Sequence, residues 1–272
     1  MRKVLNNSDL KNACESKTPL ISIITATYNA ESCLENLLKS IKLQKTDNIE
    51  FVIIDGASKD NTISIIKRYN EFIDYWISEP DTGIYDAWNK GVKLTTGEWI
   101  MFLGADDQLM PKALKTNIDF ILKNSSQELD LISSKIEMID NNRKSIRIKG
   151  WKWEWPRFLY EMTIAHPGAL HSRKLFVKHG LFNQDYKIAG DYELLLRPRN
   201  NLKTAFIDAI TVKMCEGGTS DSIAAAFELY KLTTKTGGAN RLTATINATV
   251  IILKYLIKSG FRHFGFNVYL RK

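Results

Sequence analysis

Residues 20–29 read LISIITATYN, and residues 97–107 read GEWIMFLGADD. Each stretch is a continuous apolar run that ends in a short polar turn, a pattern typical of a strand buried on both faces. A third such run, EFVIID, occupies residues 50–55, and the alternation of Ile73, Tyr75 and Ile77 predicts a more exposed strand. Between these strands, apolar residues recur at helical spacing. Strands that alternate with helices predict an α/β fold with a mostly parallel, Rossmann-like sheet and flanking helices.

The second half of the chain has less regular patterns. They predict a helix over 111–123, a hairpin of 129–138 and 145–148, helices over 175–179 and 192–197, a strand within 205–214 and a helix over 222–234.

The charge of the chain is unevenly distributed. Of its 272 residues 44% are hydrophobic and 25% charged, which excludes disordered and collagen-like proteins. The net charge is +8, yet residues 229–272 hold eight Lys and Arg and no acid, so residues 1–228 are formally neutral. We predict a polar N-terminal extension at 1–19, a main domain at 20–228 and a basic helical tail at 229–272.

The cysteines and the N-terminus bear on the compartment. Cys14, Cys33 and Cys215 lie far apart, without a CxxC pair or a metal-ligand spacing. Residues 1–19 lack the apolar core of a signal peptide, and no run reaches the ~18 apolar residues of a membrane span. These observations predict a reduced, cytoplasmic chain.

Carboxylates follow three of the four predicted strands: Asp55, then Asp81, then the pair Asp106 and Asp107. Ligands of parallel α/β sheets bind at the carboxyl ends of the strands, so this edge predicts a cation or a hydroxyl-rich ligand. The Asp106–Asp107 pair suits Mg²⁺ or Mn²⁺, which prefer hard oxygen ligands shared with phosphates. The alternative is a turn before Pro111 whose two acids only cap the helix that begins there.

The turn after the first strand excludes two nucleotide sites. Residues 27–31 read TYNAE and contain no glycine, so the GxGxxG fingerprint of dinucleotide-binding proteins is absent, as is a P-loop. A nucleotide must be held in another way.

Four motifs in order resemble family 2 glycosyltransferases of the GT-A fold. They are TATYNA at 25–30, VIIDGASKDNT at 52–62, SEPDTGIYDAWNKG at 78–91 and GEWIMFLGADD at 97–107. The likeness resumes with HPGAL at 166–170 and AGDYEL at 189–194. The subgroup that the chain most resembles is the bacterial colanic-acid and O-antigen type.

The resemblance implies an inverting, metal-dependent enzyme that moves one sugar, of hexosyl or N-acetylhexosaminyl type, from a nucleotide-sugar donor. It implies that Asp55 accepts from the base ring, that Asp106 binds Mn²⁺ or Mg²⁺ with support from Asp107, and that Asp191 is the general base. It favours a UDP-sugar over a GDP-sugar. The donor-binding residues that it implies are Ala26, Thr27, Tyr28, Asn29, Glu31, Asp55, Asp86, Lys90, Ala105 and Asp106.

Two positions depart from the family pattern. Gly104 stands where the family usually has the first Asp of its metal motif, and Trp88 stands where it often has Arg. Lys90 is the substitute cation for the diphosphate, as a point charge without the fork of Arg. Because Gly104 replaces a metal ligand of the family, a non-catalytic sugar-binding or scaffold protein remains an alternative function. A nucleotidyltransferase is disfavoured, because its Gly- and Arg-rich loop is absent.

Three further candidates have both a functional and a structural interpretation. His166 contacts the donor or acceptor, or it is a buried structural histidine. Trp151 and Trp153 alternate with Trp155, so a strand would place them on one face, as a wall against sugar or lipid or as a cover of the core. Asp191 is a base, or an acid that only favours a helix N-terminus.

The tail predicts a membrane contact. Lys254, Lys258 and Arg262 recur at i, i+4 and i+8, and the apolar residues form a second side: Leu242, Ile246, Val250, Leu253, Leu256, Ile257 and Phe261. A basic amphipathic helix suits an anionic membrane, which predicts a peripheral protein on the inner face of the cell membrane with a lipid-linked saccharide acceptor. The alternative is a helix packed on the body. Nucleic-acid binding is not predicted, because it would explain the basic tail but not the carboxylates at the strand ends.

Overall fold

A computed structural model describes residues 18–140, 142–215 and 222–263. Predictions on residues 1–17 and on residues 264–272 lie outside these ranges. The strands are β1 (Ile21–Thr27), β2 (Ile49–Asp55), β3 (Tyr75–Ser78), β4 (Trp99–Gly104), β5 (Gln108–Leu109), β6 (Leu131–Ile139), β7 (Ser145–Lys149), β8 (Leu170–Ser172) and β9 (Thr204–Cys215).

The helices lie between these strands and after them. They are α1 (Leu34–Lys42), α2 (Thr62–Arg68), α3 (Ile84–Leu94), α4 (Ala113–Lys123), α5 (Trp155–Phe158), α6 (Arg173–His179), α7 (Gly190–Leu196), α8 (Ile223–Lys235) and α9 (Arg241–His263). The predicted α/β class is confirmed.

The strands join one sheet in the order β3-β2-β1-β4-β8-β6-β9-β5, with β7 paired to β6. The first four pair in parallel, as predicted. Thr27 at the end of β1 pairs with Asp55 at the end of β2, and Ala26 pairs with Gly104 at the end of β4. The turns after these three strands therefore lie side by side at one edge of the sheet.

Both faces of the parallel half are covered, which explains its continuous apolar runs. Ile21 and Ile23 pack in a cluster with residues of α1, α2 and α4, whereas Ile24 packs in a second cluster with residues of α3, α6 and α7. Side chains of a strand alternate between its faces, so each apolar run serves two cores.

The second half of the sheet is held by pairings that are distant in sequence. β8 is antiparallel to both β4 and β6, and β6 is parallel to β9. The predicted hairpin is confirmed as β6 and β7. The short strands β5 and β8 were not among the predicted elements.

The C-terminal helices extend from the body. The boundary predicted between residues 228 and 229 falls inside α8. α9 packs through the buried Ala244 and through Asn247, whose Nδ2 donates to the Tyr160 carbonyl at 2.8 Å. No helix in the described ranges combines the length and the apolar character that a membrane span needs.

Candidate active site

The turns after β1 and β2 are joined by reciprocal hydrogen bonds. The Asn29 amide donates to the Ser58 hydroxyl, and the Asn29 side chain accepts from the Lys59 amide, both at 2.8 Å. Glu31 accepts from the Asn61 amide at 2.9 Å, and its own amide donates to Asp60 at 3.0 Å. Asn29 adopts a positive φ of 48°, which Asn tolerates better than most residues. Asn29 and Glu31 therefore fix the shape of the predicted nucleotide turn.

Asp55 lies beneath these turns and is fully buried. Its Oδ1 accepts from the Thr27 hydroxyl at 2.9 Å and the Ser58 hydroxyl at 2.5 Å. Its Oδ2 accepts from the Ser58 amide at 3.0 Å and the Ser78 hydroxyl at 2.7 Å. A carboxylate has about four acceptor positions. All four positions are used to hold the turn, so a base ring would share one of these acceptors, and the contact of Asp55 with the base stays a prediction.

An open surface lies above Asp55. The Tyr28 ring is 63% exposed, while Ala26 and Ala105 are partly exposed at the neighbouring strand ends. A Cβ on Gly56 would lie 2.6 Å from Asp81 Oδ2 and 3.4 Å from Tyr28 Cδ2, so the glycine lets the Asp81 carboxylate approach the turn that carries Tyr28. Asp81 was noticed as a strand-end acid but was not among the predicted donor-binding residues.

The end of β4 presents two carboxylates in different environments. Asp106 is exposed, whereas Asp107 is buried and its Oδ2 accepts from the Gly104 amide at 2.7 Å. Burial, and then the neighbouring Asp106, raise the pKa of Asp107 well above its usual range. A Cβ on residue 104 would lie 2.9 Å from Asp106 Oδ1, so Gly104 leaves room for the Asp106 carboxylate. An Asp at this position would displace it.

The donor set at this edge suits a metal that arrives with phosphates. Among the described residues, no three His, Cys, Asp or Glu side chains converge as a metal site. Mg²⁺ commonly uses one or two carboxylates together with substrate phosphates and waters. The exposed Asp106 fits that pattern. Asp107 lies behind it, with one oxygen engaged by the backbone.

The predicted Asp86 and Lys90 lie on α3 and interact with one another. Lys90 Nζ lies 3.1 Å from Glu79, 3.6 Å from Asp86 and 3.0 Å from the Pro80 carbonyl oxygen. Asp86 accepts from the Thr82 amide at 3.1 Å and from Gln184 at 3.2 Å. Lys90 is therefore engaged by two carboxylates, and a diphosphate would have to compete with them.

A cleft lies between the start of α3 and the segment before α7. It is lined by Thr82, Gly83, Ile84, Tyr85, Asp86, Gln184, Tyr186 and Lys187. Lys187 Nζ donates to the Thr82 carbonyl at 3.3 Å, and the Thr82 hydroxyl donates to Gln184 at 3.3 Å. These bonds join the two sides of the cleft.

Asp191 stands beside this cleft, near the beginning of α7. The Tyr85 hydroxyl lies 3.1 Å from Asp191 Oδ1 and 2.9 Å from the Ile188 carbonyl oxygen, so it can donate to either. Burial is the largest cause that raises the pKa of Asp191, while the Tyr85 hydrogen bond lowers it. Tyr85 was not predicted, although it lies in the quoted motif, because nothing in the sequence connects it to a residue 106 positions away.

His166 lies in the core, where its structural interpretation expects it, and its contact with the donor or acceptor stays a prediction. It is buried, and its ring stacks on Trp88 at 4.9 Å and on Phe102 at 5.5 Å. Burial lowers its pKa to about 3, so it is neutral at pH 7. Trp88, in place of the family's usual Arg, lies in this aromatic cluster and contributes packing rather than charge.

The Trp cluster forms no strand. Residues 151–154 lie in a loop and Trp155 begins α5. Trp153 packs on Phe158 at 4.2 Å and belongs with the core. Trp151 is partly exposed, with the Arg157 guanidinium 4.9 Å from its ring centre. The predicted common face is wrong, and Trp151 alone presents a surface.

Comparisons with known proteins agree on the family. The model of "Glycosyl transferase family 2" matches residues 22–176. A PGL/p-HBAD biosynthesis glycosyltransferase of Mycobacterium bovis BCG is 30% identical over 211 residues, which cover 75% of this chain and 80% of that protein.

Two solved structures resemble the fold. S. aureus TarS 1–349 in complex with UDP has a TM-score of 0.64 at 19% identity, with 92% of this chain and 75% of that chain covered. The mannosyltransferase PcManGT from Pyrobaculum calidifontis, in complex with GDP-Man and Mn²⁺, has a TM-score of 0.63 at 17% identity, with 89% and 76% covered. The GT-A fold implied by the motifs is confirmed, and the chain belongs to glycosyl transferase family 2 and is a glycosyltransferase.

Proposed function

We propose that the protein is an inverting, metal-dependent glycosyltransferase that moves one sugar from a nucleotide-sugar donor to a lipid-linked or surface-polysaccharide acceptor. The observation that carries the proposal is Asp191, a carboxylate beside a cleft whose pKa is raised by burial and which contacts the Tyr85 hydroxyl. A general base works best when its pKa approaches the working pH.

In the proposed reaction the acceptor hydroxyl attacks the anomeric carbon as its bond to the nucleoside diphosphate breaks. Asp191 takes the hydroxyl proton, and the leaving diphosphate keeps the electron pair. Ionised Asp191 can only accept, so Tyr85 donates to it. Once protonated, Asp191 can donate to Tyr85 Oη, and the Tyr85 hydrogen can turn to the Ile188 carbonyl.

The metal role falls to Asp106. Mn²⁺ or Mg²⁺ on the diphosphate would supply charge neutralisation for the leaving group. Asp106 is exposed and has space beside Gly104, while Asp107 supports it from the interior. These features favour a metal that binds with the nucleotide rather than before it.

In this proposal the base of the donor nucleotide stacks on the Tyr28 ring, and the Asp81 carboxylate accepts a hydrogen bond from the base. Asn29 and Glu31 hold the turn from which Tyr28 projects. Solved relatives of the fold carry UDP or GDP-Man. We keep the preference for a UDP-sugar, of hexosyl or N-acetylhexosaminyl type, and the colanic-acid or O-antigen subgroup as predictions, since the curated relatives carry other names.

The test of this function is transfer from a panel of nucleotide sugars, with Mn²⁺ and with a chelator. We expect Asp106→Asn to abolish metal-dependent turnover without unfolding the protein. Asp119→Asn, an exposed acid on α4 paired with Lys115, is the matched control. Metal-independent transfer at the wild-type rate would contradict the metal role. Donor binding without any turnover would favour the non-catalytic sugar-binding protein.

The membrane contact is proposed for α9, as part of a peripheral location on the inner face of the cell membrane. Its outward residues are apolar and exposed: Leu242, Ile246, Val250, Leu253, Leu256 and Ile257. Lys254 is exposed among them. The side chains of Lys258, Phe261 and Arg262 lie outside the described part. An apolar stripe with lysine suits an anionic interface, where each Lys adds ~1 kcal/mol.

Co-sedimentation with anionic liposomes tests this contact. The double variant Leu253→Glu, Leu256→Glu should lose binding, whereas Val177→Glu, which changes an even more exposed apolar residue on α6, should retain it. Rising salt should weaken wild-type binding by screening. Equal sedimentation of all three proteins would show that the stripe is not a membrane surface.

A further inference from the structure

One side chain of α8 accepts from three consecutive backbone amides. Glu228 Oε1 accepts from the Lys187 amide at 2.7 Å, and its Oε2 accepts from the Ile188 amide at 3.0 Å and the Ala189 amide at 2.9 Å. These amides immediately precede α7, which carries Asp191. Hydrogen bonds to a charged acceptor contribute more to stability than those between neutral groups.

The C-terminal end of α8 is bonded to the same helix. The hydroxyl of Thr236, just after α8, donates to Glu193 Oε1 at 3.0 Å. Glu193 in turn pairs with Arg197 at 2.6 Å, whose guanidinium also donates to the His179 and Leu181 carbonyls. Polar contacts from the middle of α8 and from the residue after it thus hold the beginning of α7.

We infer that Glu228 is a positioning residue for the reaction, which holds the 187–189 backbone and thereby sets the place of the Asp191 carboxylate. The inference rests on the proposed role of Asp191 as the base. It assigns part of the catalytic geometry to a helix outside the quoted family motifs.

The residue that transmits this effect is Ile188. Its amide donates to Glu228, while its carbonyl oxygen lies 2.9 Å from the Tyr85 hydroxyl that also contacts Asp191. The Ile188 backbone is therefore fixed from both sides. Without Glu228, three amides lose their acceptor, the segment shifts, and Tyr85 and Asp191 no longer share one geometry. A displacement of about 1 Å at a reacting group can cost roughly 100-fold in rate.

The charges around Asp191 give the inference a second readout. Tyr85 faces it from α3, and Glu228 faces it from α8. Glu193 on its own helix is paired with Arg197, and the Lys187 ammonium is directed to the Thr82 carbonyl. The negative charge of Glu228 therefore raises the pKa of Asp191, in the same direction as burial.

The experiment compares Glu228→Gln with Glu128→Gln in the full chain. Gln keeps one oxygen but turns an amide group toward an N–H donor, so at least one backbone bond is lost. Glu128 is an exposed acid paired with Lys203, far from this segment in the sequence, and it controls for the loss of one charge. The readouts are amide hydrogen exchange over 187–189, kcat and KM for the donor, and the pH profile of kcat.

For Glu228→Gln we expect faster exchange at 187–189 and a fall in kcat of about tenfold or more, with KM for the donor within about twofold. The acidic limb of the kcat profile, which reports Asp191 in the complex, should move to lower pH because one negative charge is gone. Glu128→Gln should match the wild type in all readouts.

Faster exchange without a change in kcat or in the acidic limb would overturn the inference, because Glu228 would then hold the segment without affecting the base. Unchanged exchange would also overturn it. A wild-type protein that transfers no sugar would instead refute the proposed function. In that case, ¹³C NMR titration of the Asp191 carboxyl in both variants still decides whether Glu228 acts on it.

Discussion

Asp55 and Asp191 are acidic residues of two regions, the turn after β2 and the start of α7, and the structure gives them opposite environments. Asp55 is fully buried and accepts four hydrogen bonds from Thr27, Ser58 and Ser78. Asp191 accepts from the Tyr85 hydroxyl and from the backbone amides of Tyr192 and Asp191, yet burial still raises its pKa. The comparison teaches that the balance between burial and donors, rather than burial alone, separates a structural carboxylate from one that is available for proton transfer.

The largest effect should come from Asp191→Asn. The variant keeps the shape of the side chain and loses the proton acceptor, so kcat at saturating donor should fall at least about 100-fold, or ~2.7 kcal/mol. Nucleotide affinity should hardly change. Asp185→Asn, an exposed acid in the segment before α7, is the control. A loss of affinity with kcat preserved would make Asp191 a binding residue.

Asp55→Asn should show the reverse pattern, with the main loss in stability. Asn can keep its oxygen toward the Ser58 N–H only by turning its NH₂ group toward the Thr27 and Ser58 hydroxyls, which then lose the acceptor that Asp55 Oδ1 provides. We expect a loss of about 2 kcal/mol in the free energy of unfolding, measured by urea denaturation. If the variant is as stable as the wild type but does not bind the nucleotide, Asp55 contacts the base, as the family resemblance implies.

Tyr85→Phe should have a smaller effect on the Asp191 side of the comparison. Asp191 would lose the hydroxyl that lowers its pKa, so the acidic limb of the kcat profile should move to higher pH. We expect a several-fold fall in kcat at neutral pH. The direction is opposite to that expected for Glu228→Gln, so a shift of both variants in the same direction would contradict the proposed environment of Asp191.

The smallest effect concerns stability and pH. A carboxyl whose pKa is raised by folding contributes stability below its unfolded pKa, and that contribution is lost as the pH rises through the folded pKa. Asp191→Asn should therefore gain stability relative to the wild type as the pH rises from about 4 toward neutrality. Urea unfolding at several pH values measures this difference. A constant difference would show that burial does not raise the pKa of Asp191.

The sequence predicted the parallel half of the fold because its signals are local. The apolar runs of β1, β2 and β4 are continuous, and the helical spacing between them predicted the helices that cover the sheet. β8 could not be predicted, because its three residues become a strand only between β4 and β6.

The site was predicted in part for the same reason. The motifs place carboxylates at the correct edge of the sheet, but a sequence does not show that Thr27, Ser58 and Ser78 converge on Asp55. Glu228 and Ile188 are 40 positions apart, and the charge pattern placed the catalytic boundary at 228. Hydrogen bonds between distant segments decide which acids are free, and no local pattern records them.

The position of α8 has a consequence for protein engineering. A chimaera designed at the charge boundary would join two glycosyltransferases directly after Glu228, inside α8. It would replace Thr236 along with the tail. Such a hybrid loses the Thr236 contact with Glu193 of α7, although the design was meant to change only the exposed surface of α9. A junction at Gly238, whose φ of 75° marks the turn into α9, keeps both contacts of α8 in the parent sequence. The proposed membrane contact is better altered through the outward residues of α9, which can be changed one side chain at a time.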